Sequence, residues 1–155
     1  MKLEFGIKDI KNIVKEQLLP KLKEYSIFTF TGPLGAGKTT LIKELLKQCG
    51  VKETITSPSF TYLNIHKTKD GKTFHHFDLY LLKNEESFAS VGFEEILFKN
   101  TQGTNSFALI EWPEIIKPLL QGKKLKNSVC EISLSYKTEN INTRIIEIIS
   151  NKNQI

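Results

Sequence analysis

One nine-residue stretch constrains this chain more than any other feature: residues 32–40 read Gly-Pro-Leu-Gly-Ala-Gly-Lys-Thr-Thr. The stretch matches the pattern G-x-x-x-x-G-K-[ST] at every fixed position. An apolar run at residues 26–31 precedes it, and residues 39–49 after it have helical periodicity. Glycines between a strand and a helix let successive N–H groups point at phosphate oxygens, and the helix N-terminus adds its positive dipole end. The sequence therefore predicts a nucleoside triphosphate site.

Two side chains of this loop carry predicted chemistry. The ammonium of Lys38 can reach the outer phosphates, and the hydroxyl of Thr39 can ligate Mg²⁺. Such a metal needs a second protein oxygen, bound directly or through water, which in this class of protein follows another buried strand. We therefore expect an acidic residue at the end of a second apolar run.

Two acidic residues satisfy that expectation. Glu111 directly follows the apolar run 107–110, and Asp78 closes the segment 75–77. The chain has only two other aspartates; Asp9 begins a predicted helix and Asp70 lies in a predicted turn, so neither suits the role. We expect both Glu111 and Asp78 to work at the phosphate site.

Turn and cap residues divide the chain into elements. Asp9 is placed to cap a helix that ends near Pro20, and Gly50 is placed to end the helix that follows the Gly-rich loop. Residues 60–65 predict a strand, and Asp70-Gly71 predicts the turn of a hairpin. Strands are also predicted at residues 73–77, 106–110, 129–136 and 143–149.

Two short helices are predicted between the hairpin and the strand at residues 106–110. Asn84 can cap the first, and Gly92 separates it from the second, at residues 93–98. Strand–loop–helix units mixed with hairpins favour an α/β fold. We predict one P-loop domain over residues 1–155, with a mixed, partly parallel central sheet flanked by helices.

Composition limits the classes of partner and compartment. The net charge of +5 suggests nucleic acid, but 21 of the 22 basic residues are lysine and Arg144 is the only arginine. Cys49 and Cys130 lack the spacing of a metal site or a disulfide framework, so we expect both to be small apolar residues of the core. With no apolar run near the roughly 20 residues of a membrane span and no signal-peptide pattern, we expect a cytoplasmic protein.

The scarcity of arginine bears on the reaction. A small-molecule kinase fits the length and architecture, but such enzymes usually neutralise the transferring phosphoryl group with arginine. Arg144 is far in sequence from the loop, so charge stabilisation within this chain is expected to be incomplete. This favours a slow ATPase, or one completed by a partner, while a kinase stays the alternative. A third alternative is a nucleotide-gated module that binds tRNA through its lysines, but no aromatic–basic RNA motif supports it.

The order and spacing of five motifs resemble the TsaE family, the P-loop ATPases of bacterial tRNA threonylcarbamoyladenosine biosynthesis. The motifs, between residues 27 and 113, are GPLGAGKTT, SPSFTYLN, HHFDLY, GFEEIL and LIEWPE. The resemblance implies an ATP site that binds Mg²⁺ through Thr39 and Glu111. The implied ATP-binding residues are Gly32, Pro33, Leu34, Gly35, Ala36, Gly37, Lys38, Thr39 and Thr40.

The resemblance also implies roles beyond the loop. Lys38, Asp78 and Glu111 would be catalytic, with Asp78 orienting water or holding the metal through it, and residues 57–60 would form a switch-like loop. The implied partners are TsaB and TsaD, of which TsaD transfers the carbamoyl group; tRNA would be reached indirectly, through the complex. Family members commonly follow D-x-Y with arginine, where this chain has Leu81.

Three aromatic residues near these motifs receive no assigned role. His75 and His76 point to opposite faces if residues 73–77 form a strand, so they cannot jointly bind a metal, and we interpret both as structural. Trp112 directly follows Glu111 and is open to three interpretations: core residue, lid or partner contact.

Overall fold

The computed structural model describes residues 1–103 and 105–150. The strands are β1 (Lys2–Phe5), β2 (Ile27–Thr31), β3 (Leu63–Lys67), β4 (Thr73–Asp78), β5 (Ser106–Glu111), β6 (Val129–Lys137) and β7 (Asn140–Ser150). The α-helices are α1 (Ile10–Ile13), α2 (Lys38–Gln48), α3 (Glu85–Ser90), α4 (Phe93–Asn100) and α5 (Lys117–Gln121).

The seven strands form one mixed sheet in the order β1-β7-β6-β2-β5-β4-β3. The four central strands β6, β2, β5 and β4 are parallel to one another. Strand β7 is antiparallel to β6 and to β1, and β3 is antiparallel to β4. The prediction of an α/β fold with a mixed, partly parallel sheet is confirmed. Because parallel strands share one carboxyl edge, the loops after β2, β4 and β5 lie together.

The apolar run of β2 is explained by burial on both faces of the sheet. Phe28 and Phe30 belong to a core with α2 and the N-terminal helical segment, whereas Ile27 belongs to a second core with residues of α3, α4 and α5. Alternate side chains of a strand point to opposite faces, so a strand covered on both faces is buried along its length, and even Thr29 is only 3% exposed. The loop that follows β2 is thus held at the centre of the fold.

The N-terminal helical segment differs from its prediction. It does not end near Pro20: a 3₁₀ turn (Ile7–Asp9), α1, a π-helical turn (Val14–Leu18) and a second 3₁₀ turn (Leu19–Lys23) follow one another. Pro20 lies in the first turn of the last segment, where its missing N–H is not needed. The carboxylate of Asp9 accepts a hydrogen bond from Gly6 N at 2.8 Å, so it acts at the earlier 3₁₀ turn.

The strand predicted at residues 60–65 is wrong in its first half. Residues 60–62 belong to a tight turn closed by a 2.6 Å hydrogen bond from Tyr62 N to Pro58 O, and β3 begins at Leu63. Tyr62 adopts a φ of 65°, which no strand allows. The β-forming composition of residues 60–62 is overridden by the contacts of this turn.

The caps predicted at Gly50 and Asn84 are confirmed, unlike the one at Asp9. Gly50 has a φ of 96° and the N–H of Val51 bonds to Leu46 O, which ends α2. The side chain of Asn84 accepts from Ser87 N at 2.8 Å and caps α3. Within the two described ranges, no helix is long and apolar enough to cross a bilayer.

Candidate functional site

The Gly-rich loop leaves the carboxyl end of β2 and passes directly into α2. Gly32 has a φ of 139°, and a β-carbon there would lie 2.3 Å from the carbonyl oxygen of Leu134 on β6. Gly37, immediately before α2, has a φ of 105°. Both positions need glycine, the first because of close packing and the second because of its backbone conformation. This is the geometry that the motif predicts.

Lys38 is buried inside the curl of the loop, with 5% of its surface exposed. Its ammonium donates to Gly32 O at 2.6 Å and to Pro33 O at 2.9 Å, and lies 4.0 Å from the centre of the Trp112 ring. Burial lowers the pKa of this amine, and the opposing influence of nearby carboxylates, Glu111 first, is smaller. The cation is thus held at the loop by groups that a phosphate oxygen can replace.

Glu111 ends β5 and is almost completely buried, with 2% exposure. Its Oε1 accepts from the Thr39 hydroxyl at 2.6 Å, and its Oε2 is 2.8 Å from Nε2 of His76. The two oxygens are therefore fixed on opposite sides, one toward the loop and one toward β4. Sequence reasoning gave His76 no role, although its spacing of two from Asp78 on one strand places both on the same face.

Asp78 ends β4 directly opposite Glu111 in the register of the two parallel strands. Its Oδ2 accepts from the hydroxyls of Ser57 and Ser59 at 2.8 and 3.0 Å, and its Oδ1 accepts from Tyr80 N at 3.1 Å. The side chain is 4% exposed. The serines belong to the segment that the resemblance describes as a switch-like loop, so this carboxylate joins that segment to the sheet.

These groups surround one cavity of about 260 Å³. Its lining comes from the Gly-rich loop, the two strand ends and the serine segment: Leu34, Gly35, Gly37, Lys38, Thr39, Thr40, Ser57, Ser59, Asp78, Tyr80, Glu111 and Trp112. Three of the predicted loop residues are outside this lining. Gly32 and Pro33 contact Lys38 through their carbonyls, and Ala36 is buried.

The residues at the cavity fit a magnesium ion. The hydroxyl of Thr39 and a carboxylate oxygen of Glu111 are hard ligands of the type that Mg²⁺ prefers, and their 2.6 Å separation is close to the roughly 3 Å between neighbouring ligands of an octahedral ion. Across residues 1–103 and 105–150, no cluster of three or more His, Cys, Asp or Glu side chains forms a metal cage. Two protein ligands completed by phosphate and water are the usual arrangement for Mg²⁺ at a nucleotide.

The C-terminal hairpin reaches the Gly-rich loop, which sequence distance had hidden. The hydroxyl of Tyr136 on β6 donates to Leu34 O at 2.9 Å. The guanidinium of Arg144 on β7 lies 4.3 Å from the centre of the same Tyr136 ring. The only arginine of the chain is therefore one side chain away from the loop, although it does not line the cavity.

Both cysteines occupy the places expected of small apolar residues. Cys130 is buried, Cys49 is half-buried, and both thiols are free. Burial raises the pKa of each thiol to about 11. Neither is among the residues that line the cavity.

A Gly-rich loop between a central parallel strand and a helix, with carboxylates at the ends of neighbouring strands, defines the P-loop class of α/β proteins. Within this class, a sequence model described as "Threonylcarbamoyl adenosine biosynthesis protein TsaE" matches residues 8–146. The chain belongs to the TsaE family.

Individual relatives agree with this assignment. The tRNA threonylcarbamoyladenosine biosynthesis protein TsaE of Rickettsia felis is 39% identical over 138 residues, which cover 88% of this chain and 72% of the relative. The protein of the same name from Haemophilus influenzae is 34% identical over 112 residues, covering 72% and 67%. A crystal structure of YdiB from Bacillus subtilis has a TM-score of 0.64 and 22% identity, covering 99% of this chain and 88% of that one, and supports the fold.

Proposed function

We propose that this protein is a Mg²⁺-dependent ATPase that supports formation of threonylcarbamoyladenosine in tRNA by acting on a TsaB–TsaD complex. The observation that carries the enzymatic part is the meeting of Lys38, Thr39, Asp78 and Glu111 in one cavity. Membership of the TsaE family supports the pathway, and the names of its relatives refer to the same biosynthesis.

In this proposal the loop binds the phosphates of ATP through its N–H groups and the N-terminus of α2. The ammonium of Lys38 exchanges the carbonyls of Gly32 and Pro33 for β- and γ-phosphate oxygens. Bound Mg²⁺ would supply charge neutralisation for the phosphates, and Thr39 and Glu111 are the residues that would hold it. The bond of Glu111 to His76 keeps the carboxylate turned toward Thr39.

Asp78 is proposed to act on the attacking water. A carboxylate that exchanges one serine hydroxyl for a water molecule can orient it toward the γ-phosphorus and accept its proton as the P–O bond to ADP breaks. The products are ADP and inorganic phosphate. With no arginine in the lining of the cavity, charge stabilisation is weak, which supports slow turnover by the chain alone.

Release of inorganic phosphate from γ-labelled ATP tests the proposal. Turnover should be slow for the chain alone and faster when TsaB and TsaD are added. Unchanged turnover with the partners would contradict the partner role, and transfer of label to an acceptor molecule would favour the kinase alternative.

The role of Asp78 has a matched control within the chain. Asp78→Ala should bind ATP but lose turnover, because the loop and Lys38 are untouched. Asp70→Asn, in the exposed turn between β3 and β4, should hydrolyse ATP like the wild type. Full activity of the Asp78 variant would remove this residue from the mechanism.

A further inference from the structure

The segment 57–62 is an ordered turn rather than a loose connection. The N–H of Tyr62 donates to Pro58 O at 2.6 Å and closes the turn, and the Tyr62 carbonyl accepts from Asp78 N at 3.1 Å. Tyr62 holds a left-handed backbone, with a φ of 65°, which is strained for a bulky residue. Such a conformation persists only where the surrounding contacts determine it.

Side-chain hydrogen bonds fix the start of the turn to the sheet. Ser57 and Ser59 donate to the same oxygen of Asp78, and their hydroxyls are 3.0 Å from each other. Upstream of the turn, the amide of Asn64 donates to Thr56 O at 3.1 Å. The turn is therefore held by β3 and by the end of β4, beside the phosphate cavity.

The middle of this turn presents a phenylalanine to solvent. Phe60 is 89% exposed, the highest value among the large apolar side chains of residues 1–103 and 105–150. Its ring is not needed for the fold, since it buries almost nothing. The turn therefore holds this ring in water in a fixed position, where a contact with another molecule would cost little ordering.

Other exposed apolar residues line the cavity or, like Phe60 after Ser59, are next in sequence to residues that line it. Leu34 and Tyr80 line the cavity and are 68% and 53% exposed, and Leu81, next to Tyr80, is 46% exposed. We call Leu34, Phe60, Tyr80 and Leu81 the apolar rim. The interior of the cavity is polar and charged, as phosphates require, so this apolar surface around it suits a protein better than a nucleotide.

We propose that Phe60 is the anchor through which this chain binds its partner protein complex. The Phe60 ring inserts into an apolar pocket of the partner. The inference rests on the proposed function, because it takes the TsaB–TsaD complex as that partner. Aromatic anchors that enter a pocket dominate the affinity of many interfaces, and a turn already fixed before binding loses little freedom on association. The same turn contacts Asp78 through Ser57 and Ser59, so binding of the partner at Phe60 is coupled to the nucleotide site.

Titration calorimetry of the chain with the TsaB–TsaD complex tests the anchor. Phe60→Ala should weaken the affinity at least tenfold, which is about 1.4 kcal/mol, whereas Phe60→Trp should retain most of it. Ile141→Ala, at a 74%-exposed position on β7, is the matched control and should bind like the wild type. All three variants should melt at the wild-type temperature, because the replaced side chains are exposed.

The outcomes separate the anchor from the proposed function. If the wild type binds the complex and Phe60→Ala binds equally well, the anchor is wrong and the proposed partner stands. If the wild type does not bind the complex and its ATP turnover is unchanged by it, both the proposed partner and the anchor are wrong. A loss of nucleotide affinity in Phe60→Ala would assign the ring to nucleotide binding. A wild-type dimer that this substitution dissociates would assign it to self-association, and either result would overturn the anchor.

Discussion

Replacing His76 with phenylalanine should destabilise the fold through Glu111. The imidazole is fully buried and its Nε2 is 2.8 Å from a carboxylate that is itself 2% exposed. Phenylalanine is an aromatic ring that cannot donate, so one oxygen of a buried carboxylate loses its partner. A hydrogen bond to a charged group is worth about 1.5–3 kcal/mol, and we expect a loss of that size in the free energy of unfolding.

Thermal unfolding followed by circular dichroism measures this loss. For a chain of 155 residues, 1 kcal/mol shifts the melting temperature by about 2–4 °C, so His76→Phe should melt about 3–12 °C below the wild type. His76→Gln should lose less, because its amide nitrogen can donate from nearly the position of Nε2. His75→Phe, on the opposite face of β4, is the control that changes the same residue type without touching Glu111.

A double-mutant cycle with Glu111→Gln isolates the interaction. If the bond to the carboxylate causes the loss, His76→Phe should cost less in the Glu111→Gln background than in the wild type. Equal stability of His76→Phe and His76→Gln, or an unchanged cost in that background, would refute the reasoning.

Three further predictions concern the loop and the thiols. Gly50→Ala should cost about 1–2 kcal/mol of unfolding free energy, because alanine is strained at a positive φ. Gly32→Ala should cost more, because it also adds a β-carbon 2.3 Å from a carbonyl oxygen, and equal melting temperatures of the two variants would contradict this. Titration with ATP should change the fluorescence of Trp112, the only tryptophan, as Lys38 leaves its ring for phosphate, and the change should be absent in Lys38→Met. At pH 8–9 a thiol reagent should label the cysteines far faster in denaturant than in the folded chain. Folded thiols with pKa values of about 11 stay protonated at this pH, whereas unfolded thiols, with a pKa of about 8.5, ionise. Equal labelling rates would contradict the burial of the thiols.

Much of the fold and the site could be predicted because the signals are local. The apolar run of β2, the glycines that follow it and the cap at Gly50 each depend on a few neighbouring residues. Asp78 and Glu111 were expected at the phosphate site because each ends a predicted strand, and they lie side by side because parallel strands end at one edge. At these positions the residue type alone indicates the backbone conformation that the structure has.

The remainder depends on contacts between distant segments. The turn at residues 60–62 exists because Asp78 and the serines hold it, which no local pattern reveals. His76 was interpreted as structural, and its bond to Glu111, 35 residues away, could not be predicted from local spacing. Arg144 is far from the loop in sequence, but the register of β6 with β7 brings it onto Tyr136.

The bond from Tyr136 to Leu34 spans 102 residues, and the packing of Gly32 against Leu134 of β6 spans the same number. Strand β2 has its parallel partners in β5 and β6, both from the last third of the chain. During synthesis, the Gly-rich loop therefore emerges long before the strands that support it. Contacts of such high sequence separation form late and slowly. Because β6 supports Gly32 and Leu34, the loop can reach its described shape only once the last third of the chain has been synthesised.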